Sequence, residues 1–117
     1  MKYMLLIYHD EQLWNKHSEE ERQEIYGEYR QLIDELRSGG QYLAGDQLQL
    51  TSTGKSVRVR DGKQILTDGP FAETREQIGG FFMVEANDLQ EASRIAARIP
   101  SARTGAIEVR PVVETSH

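Results

Sequence analysis

The chain of 117 residues is 38% hydrophobic and 28% charged, enough for one core and too little for two, so a single domain over residues 1–117 is expected. Nineteen acidic side chains against fourteen basic ones give a formal charge of −5, which argues against non-specific binding to nucleic acid or to an anionic membrane. Cysteine is absent, which removes a disulfide framework, a thiolate metal site and a cysteine nucleophile, and fits a reducing, cytoplasmic setting.

Tyr3 to Tyr8 is a continuous apolar run of β-compatible residues, the pattern of a strand buried on both faces or shared with a partner, and it reads as the centre of a sheet. The run ends at His9, Asp10 and Glu11 with no small-residue cleavage site behind it, unlike a secretion signal, and no other segment approaches the length of a membrane span. Over residues 18–38, Ile25, Tyr29, Leu32, Ile33 and Leu36 fall on one helical stripe, with Glu20, Glu24, Arg30 and Arg37 mostly elsewhere. Ser18 and Glu21 have the spacing of a capping box, acidic residues fill the first turn, and Gly39 and Gly40 supply the stop. From Tyr42 to Leu50 the pattern is that of a strand interrupted at Gly45, where a bulge or bend is expected.

Val57 and Val59 alternate with Arg58 and Arg60 ahead of Asp61-Gly62, the dipeptide favoured by a two-residue type I′ turn. Residues 56–67 therefore read as a hairpin with Ile65 and Leu66 on its return strand. Phe81 to Val84 is a further apolar strand, and Asn87 or Asp88 can cap a second helix carrying Leu89, Ala92, Ile95, Ala96 and Ile99 that Pro100 ends. Ile107 and Val109 alternate with Glu108 and Arg110 in a last strand, and the polar residues Glu114 to His117 are expected to fray. Without the hairpin the order is βαββαβ, the ferredoxin-like arrangement in which two helices cover one face of an antiparallel sheet. The other face then lacks a cover within the chain, and a second copy is its natural lid.

Between the hairpin and the Phe81 strand, Asp68-Gly69-Pro70 makes a rigid turn in which the carboxylate can accept a nearby N–H, Gly69 permits positive φ and Pro70 fixes its own φ. Phe71 anchors the turn, and Gly79-Gly80 leads into the strand. This stretch, Asp68 to Phe82, closely resembles the DGPF signature of the YCII-related (YciI-like) family, small α+β domains of mostly unassigned role. The resemblance extends over essentially the whole chain. It implies the dimeric α+β barrel type of fold, with two sheets packed face to face, and DGPF-type relatives are associated with alternative sigma factors of the extracytoplasmic-function type, which implies a signalling or accessory role. YciI-like relatives are thought to use a histidine on the first helix with a nearby aspartate. The place of that histidine falls here at about Tyr29, and no histidine occurs between Ser18 and Ser116, so the chain departs from that pattern.

Several residues have the chemistry for a site, each with a plainer role beside it. Asp68 can act as a general base or hold a polar ligand, or simply tie down the turn it shares with Gly69 and Pro70. Glu73 and Glu76 would share one face of a short helix, where paired carboxylates can share a proton or bind a cation, or they can be a solvated pair beside Arg75. His9 stands at a strand end near Asp10, Glu11 and His17, but no ligand spacing marks a metal site, and it also reads as an ordinary loop residue. Tyr26, Tyr29 and Arg30 lie on the first helix, with Tyr29 placed for the core. The residues to weigh as a pocket are thus Tyr8, His9, Tyr26, Tyr29, Arg30, Asp68, Gly69, Pro70, Phe71, Glu73 and Glu76, with no metal and no cofactor expected. Phosphate-binding, dinucleotide and nucleophile-elbow motifs are absent. Two readings follow: a dimeric small-molecule-binding or regulatory module whose pocket lies between sheet and helices with the Asp68–Phe71 loop at its wall or rim, or a small cofactor-independent enzyme using Asp68, Glu73 or His9 as acid or base.

Overall fold

Along strand β1 (Lys2–His9), Tyr3, Leu5 and Ile7 are buried while Met4, Leu6 and Tyr8 between them are only partly so. That alternation is the period of a strand covered on one face, and the cover is helical. The structure, a computed structural model, describes residues 1–115, so Ser116 and His117 of the expected frayed tail lie outside the described residues. Its elements are β1, helix α1 (Glu11–Lys16), helix α2 (Glu19–Ser38), β2 (Tyr42–Gln47), β3 (Lys55–Arg60), β4 (Lys63–Asp68), β5 (Gln77–Glu85), helix α3 (Leu89–Ala97) and β6 (Ala106–Pro111), with single 3-10 turns at Thr51–Thr53 and Pro100–Arg103. The class is mixed α+β, built on antiparallel sheets.

The main sheet has the order β2-β5-β1-β6, and β3 and β4 form a separate two-stranded sheet. Leu5 faces Phe82 across β1 and β5 and Val109 across β1 and β6, which places the three side chains on one face. Leu32 and Leu36 of α2 and Ala92, Ile95 and Ala96 of α3 join them with Ile99 in one core. On the opposite face Leu6 pairs with Phe81 and Met4 with Met83, and no helix among the described residues covers them.

Helix α2 begins where its sequence says it should. Ser18 Oγ accepts from the Glu21 N–H at 3.1 Å and the Glu21 carboxylate accepts from the Ser18 N–H at 2.9 Å, which satisfies two end groups at once. These bonds hold the Glu21 pKa below its ordinary value. It ends in a Schellman turn: the Gln41 N–H reaches the Leu36 carbonyl at 2.8 Å and the Gly40 N–H the Arg37 carbonyl at 3.0 Å, with Gly40 at φ 72°. Asp88, rather than Asn87, caps α3, accepting from the Glu91 N–H at 2.8 Å.

The hairpin turn has φ of 51° at Asp61 and 73° at Gly62, both positive as a type I′ turn requires. The irregularity in β2 falls between Tyr42 and Ala44, ahead of Gly45. Residues 71–76 form bends without a helix, so Glu73 and Glu76 do not share a helical face. Helix α1 is an element that the spacing of apolar residues did not announce. Its six residues are fewer than two turns, too few for a stripe to repeat.

Candidate functional site

His9 closes β1 two residues after Ile7 and projects to the same, helix-facing side. Across from it β5 carries one residue more than β1: Ile7 pairs with Gly80 and Tyr8 with Ile78, leaving Gly79 as a bulge. A Cβ on Gly79 would collide with Nε2 of His9, so the imidazole keeps its seat because this residue has no side chain. Gly80 serves a similar purpose toward β2, where a Cβ would stand 2.9 Å from the Asp46 carbonyl oxygen. Burial holds the His9 pKa below its ordinary 6.5, against the raising influence of Glu11 and Asp10, so the ring is neutral at pH 7.

Trp14 on α1 stands over this floor, its ring centroid 6.4 Å from that of His9, 5.6 Å from His17 and 5.8 Å from Tyr26. Arg22 stacks on the indole at 5.3 Å and donates to the Trp14 carbonyl at 3.2 Å. Two acidic residues fix α1 itself. Asp10 accepts from the Gln12 N–H at 2.9 Å, and the Glu11 carboxylate accepts from the N–H and hydroxyl of Thr51 at 2.8 and 2.7 Å. From α2, Ile25, Tyr26, Tyr29 and Ile33 form the roof. The Tyr29 hydroxyl shares a 2.7 Å hydrogen bond with Ser101 Oγ, and its ring meets Phe82 edge-on at 6.0 Å, as Tyr42 does at 5.4 Å.

These walls enclose a cavity of ≈ 280 Å³ between α2 and the sheet. It is close to the lower end of small-molecule sites, roughly 300 Å³. The polar residues at its lining are few: His9 of β1, Asp46 and Gln47 of β2, and Ser101 of the second 3-10 turn; Asp46, paired with Phe81, carries its side chain on the open sheet face. An adjoining hollow of ≈ 430 Å³ shares His9, Trp14, Ile25 and Ser101 and extends toward Lys16, Glu21 and Arg103. An apolar ligand body fits the aromatic walls, and the neutral imidazole can take up a proton or a hydrogen bond.

The model of the YCII-related domain matches residues 1–116. The chain belongs to the YCII-related family. It is also similar to an uncharacterized protein of Rhizobium meliloti (strain 1021), with 32% identity over 114 residues that make up 96% of this chain and 92% of that protein.

Of the residues singled out in the sequence of this YCII-related chain, the structure brings His9, Tyr26 and Tyr29 together around the cavity. Tyr8 turns to the open sheet face, where its hydroxyl donates to Glu108 at 3.0 Å and that bond raises its pKa. Arg30 is exposed on α2. Asp68, Gly69, Pro70 and Phe71 lie at the end of the β3–β4 hairpin, Glu73 and Glu76 follow in the segment that leads to β5, and none of the six is among the residues lining the cavity. The Asp68 carboxylate pairs with the Lys55 ammonium across the hairpin, and Phe71 lies under the Arg58 guanidinium at 5.7 Å. Sequence reasoning passed over Trp14, Tyr42, Asp46, Gln47 and Ser101. A tryptophan three residues after an Asp-Glu helix start was the available signal for the first, and nothing local marked the rest. Among the described residues no three acidic or histidine side chains converge as a metal-ligand set, and no helix is long and apolar enough to cross a membrane.

Proposed function

We propose that the protein is a dimeric small-molecule-binding module with a regulatory or accessory role, and that the cavity between α2 and the sheet is its ligand site. The observation that carries this reading is the cavity itself: an aromatic enclosure with a few polar residues from β1, β2 and the second 3-10 turn at its lining and a floor cleared by glycines at the His9 seat. The strand order β2-β5-β1-β6 with α2 and α3 on one face agrees with a ferredoxin-like domain of the dimeric α+β barrel type. In that arrangement the apolar strip of Met4, Leu6, Phe81 and Met83 is covered by the same strip of a second copy.

The experiment is native mass spectrometry of the protein mixed with a small-molecule library, in parallel with an Ile33→Phe variant that fills the cavity. Bound masses on the wild type that vanish on the variant are the expected result. Ligands that bind both proteins equally would move the site elsewhere. A second reading, a small cofactor-independent enzyme, draws on His9, which is held neutral inside the cavity and so is poised to accept a proton. His9→Gln distinguishes the two: a binding module keeps most of its affinity for an identified ligand, whereas an enzyme loses turnover of it.

A further inference from the structure

Gly45 of β2 and Gly79 and Gly80 of β5 keep the floor of the cavity bare, and two of them seat polar groups: a Cβ on Gly45 would collide with the Tyr42 hydroxyl, as one on Gly79 would with His9. Gln47 pairs with Gly80, and Gly80 with the buried Ile7, so Gln47 belongs to the helix-facing side of the sheet, with the glycines between it and His9. Among the described residues none hydrogen-bonds the imidazole of His9, the amide of Gln47 or the hydroxyl of Tyr42, whereas Tyr29 and Ser101 satisfy each other. Charge is kept out of this space. Asp46 is on the open sheet face, and Arg22 and Arg37 lie outside the lining, stacked on the rings of Trp14 and Tyr42. In the adjoining hollow Arg103 is held by Glu28 at 2.7 Å. Burial lowers the pKa of His9 and raises those of Tyr29 and Tyr42, so all three are neutral at pH 7.

We propose that the cavity selects an uncharged ring compound bearing a carboxamide-type group, in which a hydrogen-bond donor and an acceptor stand side by side. The inference rests on the cavity being the ligand site and names the class of ligand it takes. A neutral imidazole and a primary amide each present both a donor and an acceptor. A carboxamide can therefore donate to one and accept from the other while its ring packs against the aromatic walls. A carboxylate of the same shape offers acceptors only and an amidinium donors only, so each leaves part of that set unmatched. Each also carries a charge into an enclosure where no counter-charge faces it, and the cost of taking that charge out of water is not recovered.

Trp14 is the sole tryptophan and part of the wall, so its emission reports occupancy. Benzamide, benzoate and benzamidinium have nearly the same shape and differ in charge, and each is titrated at millimolar concentrations against wild type and Gln47→Leu. The expected result is tighter binding of benzamide than of either ion by about tenfold, and a loss of about fivefold in benzamide affinity in Gln47→Leu. A thermal melt confirms that Gln47→Leu is folded. Benzoate or benzamidinium binding as tightly as benzamide, or a benzamide affinity untouched by Gln47→Leu, overturns the carboxamide assignment while leaving the cavity as the site. A Trp14 signal unmoved by all three removes both.

Discussion

Gly79 shows how one residue without a side chain can make a site. The extra residue it adds to β5 would ordinarily disturb the ladder, yet here the bulge leaves the room that the His9 imidazole fills. His9 in turn makes the fold sensitive to acid. Its folded pKa lies below 6.5, so as the pH falls through that value the unfolded chain takes up the proton first. The stability contributed by a neutral His9 is therefore complete above pH 6.5 and declines toward its lower folded pKa. Urea midpoints measured across this window are expected to fall in the wild type and to stay flatter in His9→Gln. An identical slope in the two proteins would mean that burial does not govern His9. The Gly79-Gly80 pair was legible in the sequence as a strand entrance, but its purpose was not. That purpose depends on pairing two segments seventy residues apart, which no local pattern encodes.

At the scale of elements, the β3–β4 hairpin stands out because it pairs with nothing but itself. Val57 faces Leu66 and Val59 faces Gln64, so the two valines and Leu66 share one face, and Val59 and Leu66 are 61% and 59% exposed. Phe71 at its base is 78% exposed. An isolated two-stranded hairpin is marginal in water, so such a face calls for a partner surface. The arm carries Lys55, Arg58, Arg60 and Lys63 against Asp61 and Asp68, while the whole chain is at −5, so a positive arm extends from an acidic body. Both features suit an arm that packs on a second copy. Val59→Glu with Leu66→Lys places opposite charges on that face and leaves the hairpin turn untouched. Light scattering is expected to give a dimer for the wild type and a shift toward monomer for the double variant, with circular dichroism unchanged. A dimer of equal stability in both proteins would take the arm out of the interface. The hairpin was readable from Asp61-Gly62 and the alternating valines, and α2 from its cap and stripe. Helix α1 was not, because its stability comes from Asp10, Glu11 and the distant Thr51 rather than from a repeating pattern.

The whole molecule is broad and thin, 47 × 46 × 18 Å, with a radius of gyration of 16.2 Å. A chain of this length packed as a ball would have about 13 Å. Two layers and a projecting arm account for the excess. The open sheet face was foreshadowed by the unbroken apolar run from Tyr3 to Tyr8, since a strand with one solvated face would alternate more strictly. The site was less legible. The turn residues of the Asp68–Glu76 stretch stand together in sequence, whereas the cavity gathers Trp14, Tyr29, Tyr42 and Ser101 from four separate segments. Mapping backbone amide shifts by two-dimensional NMR, with a ligand recovered from the mass-spectrometry screen, decides between these places most directly. The cavity account predicts shifts concentrated at residues 25–29, 45–47 and 79–80, together with the Trp14 indole. Shifts confined to residues 68–76, with the Trp14 indole unmoved, would contradict it.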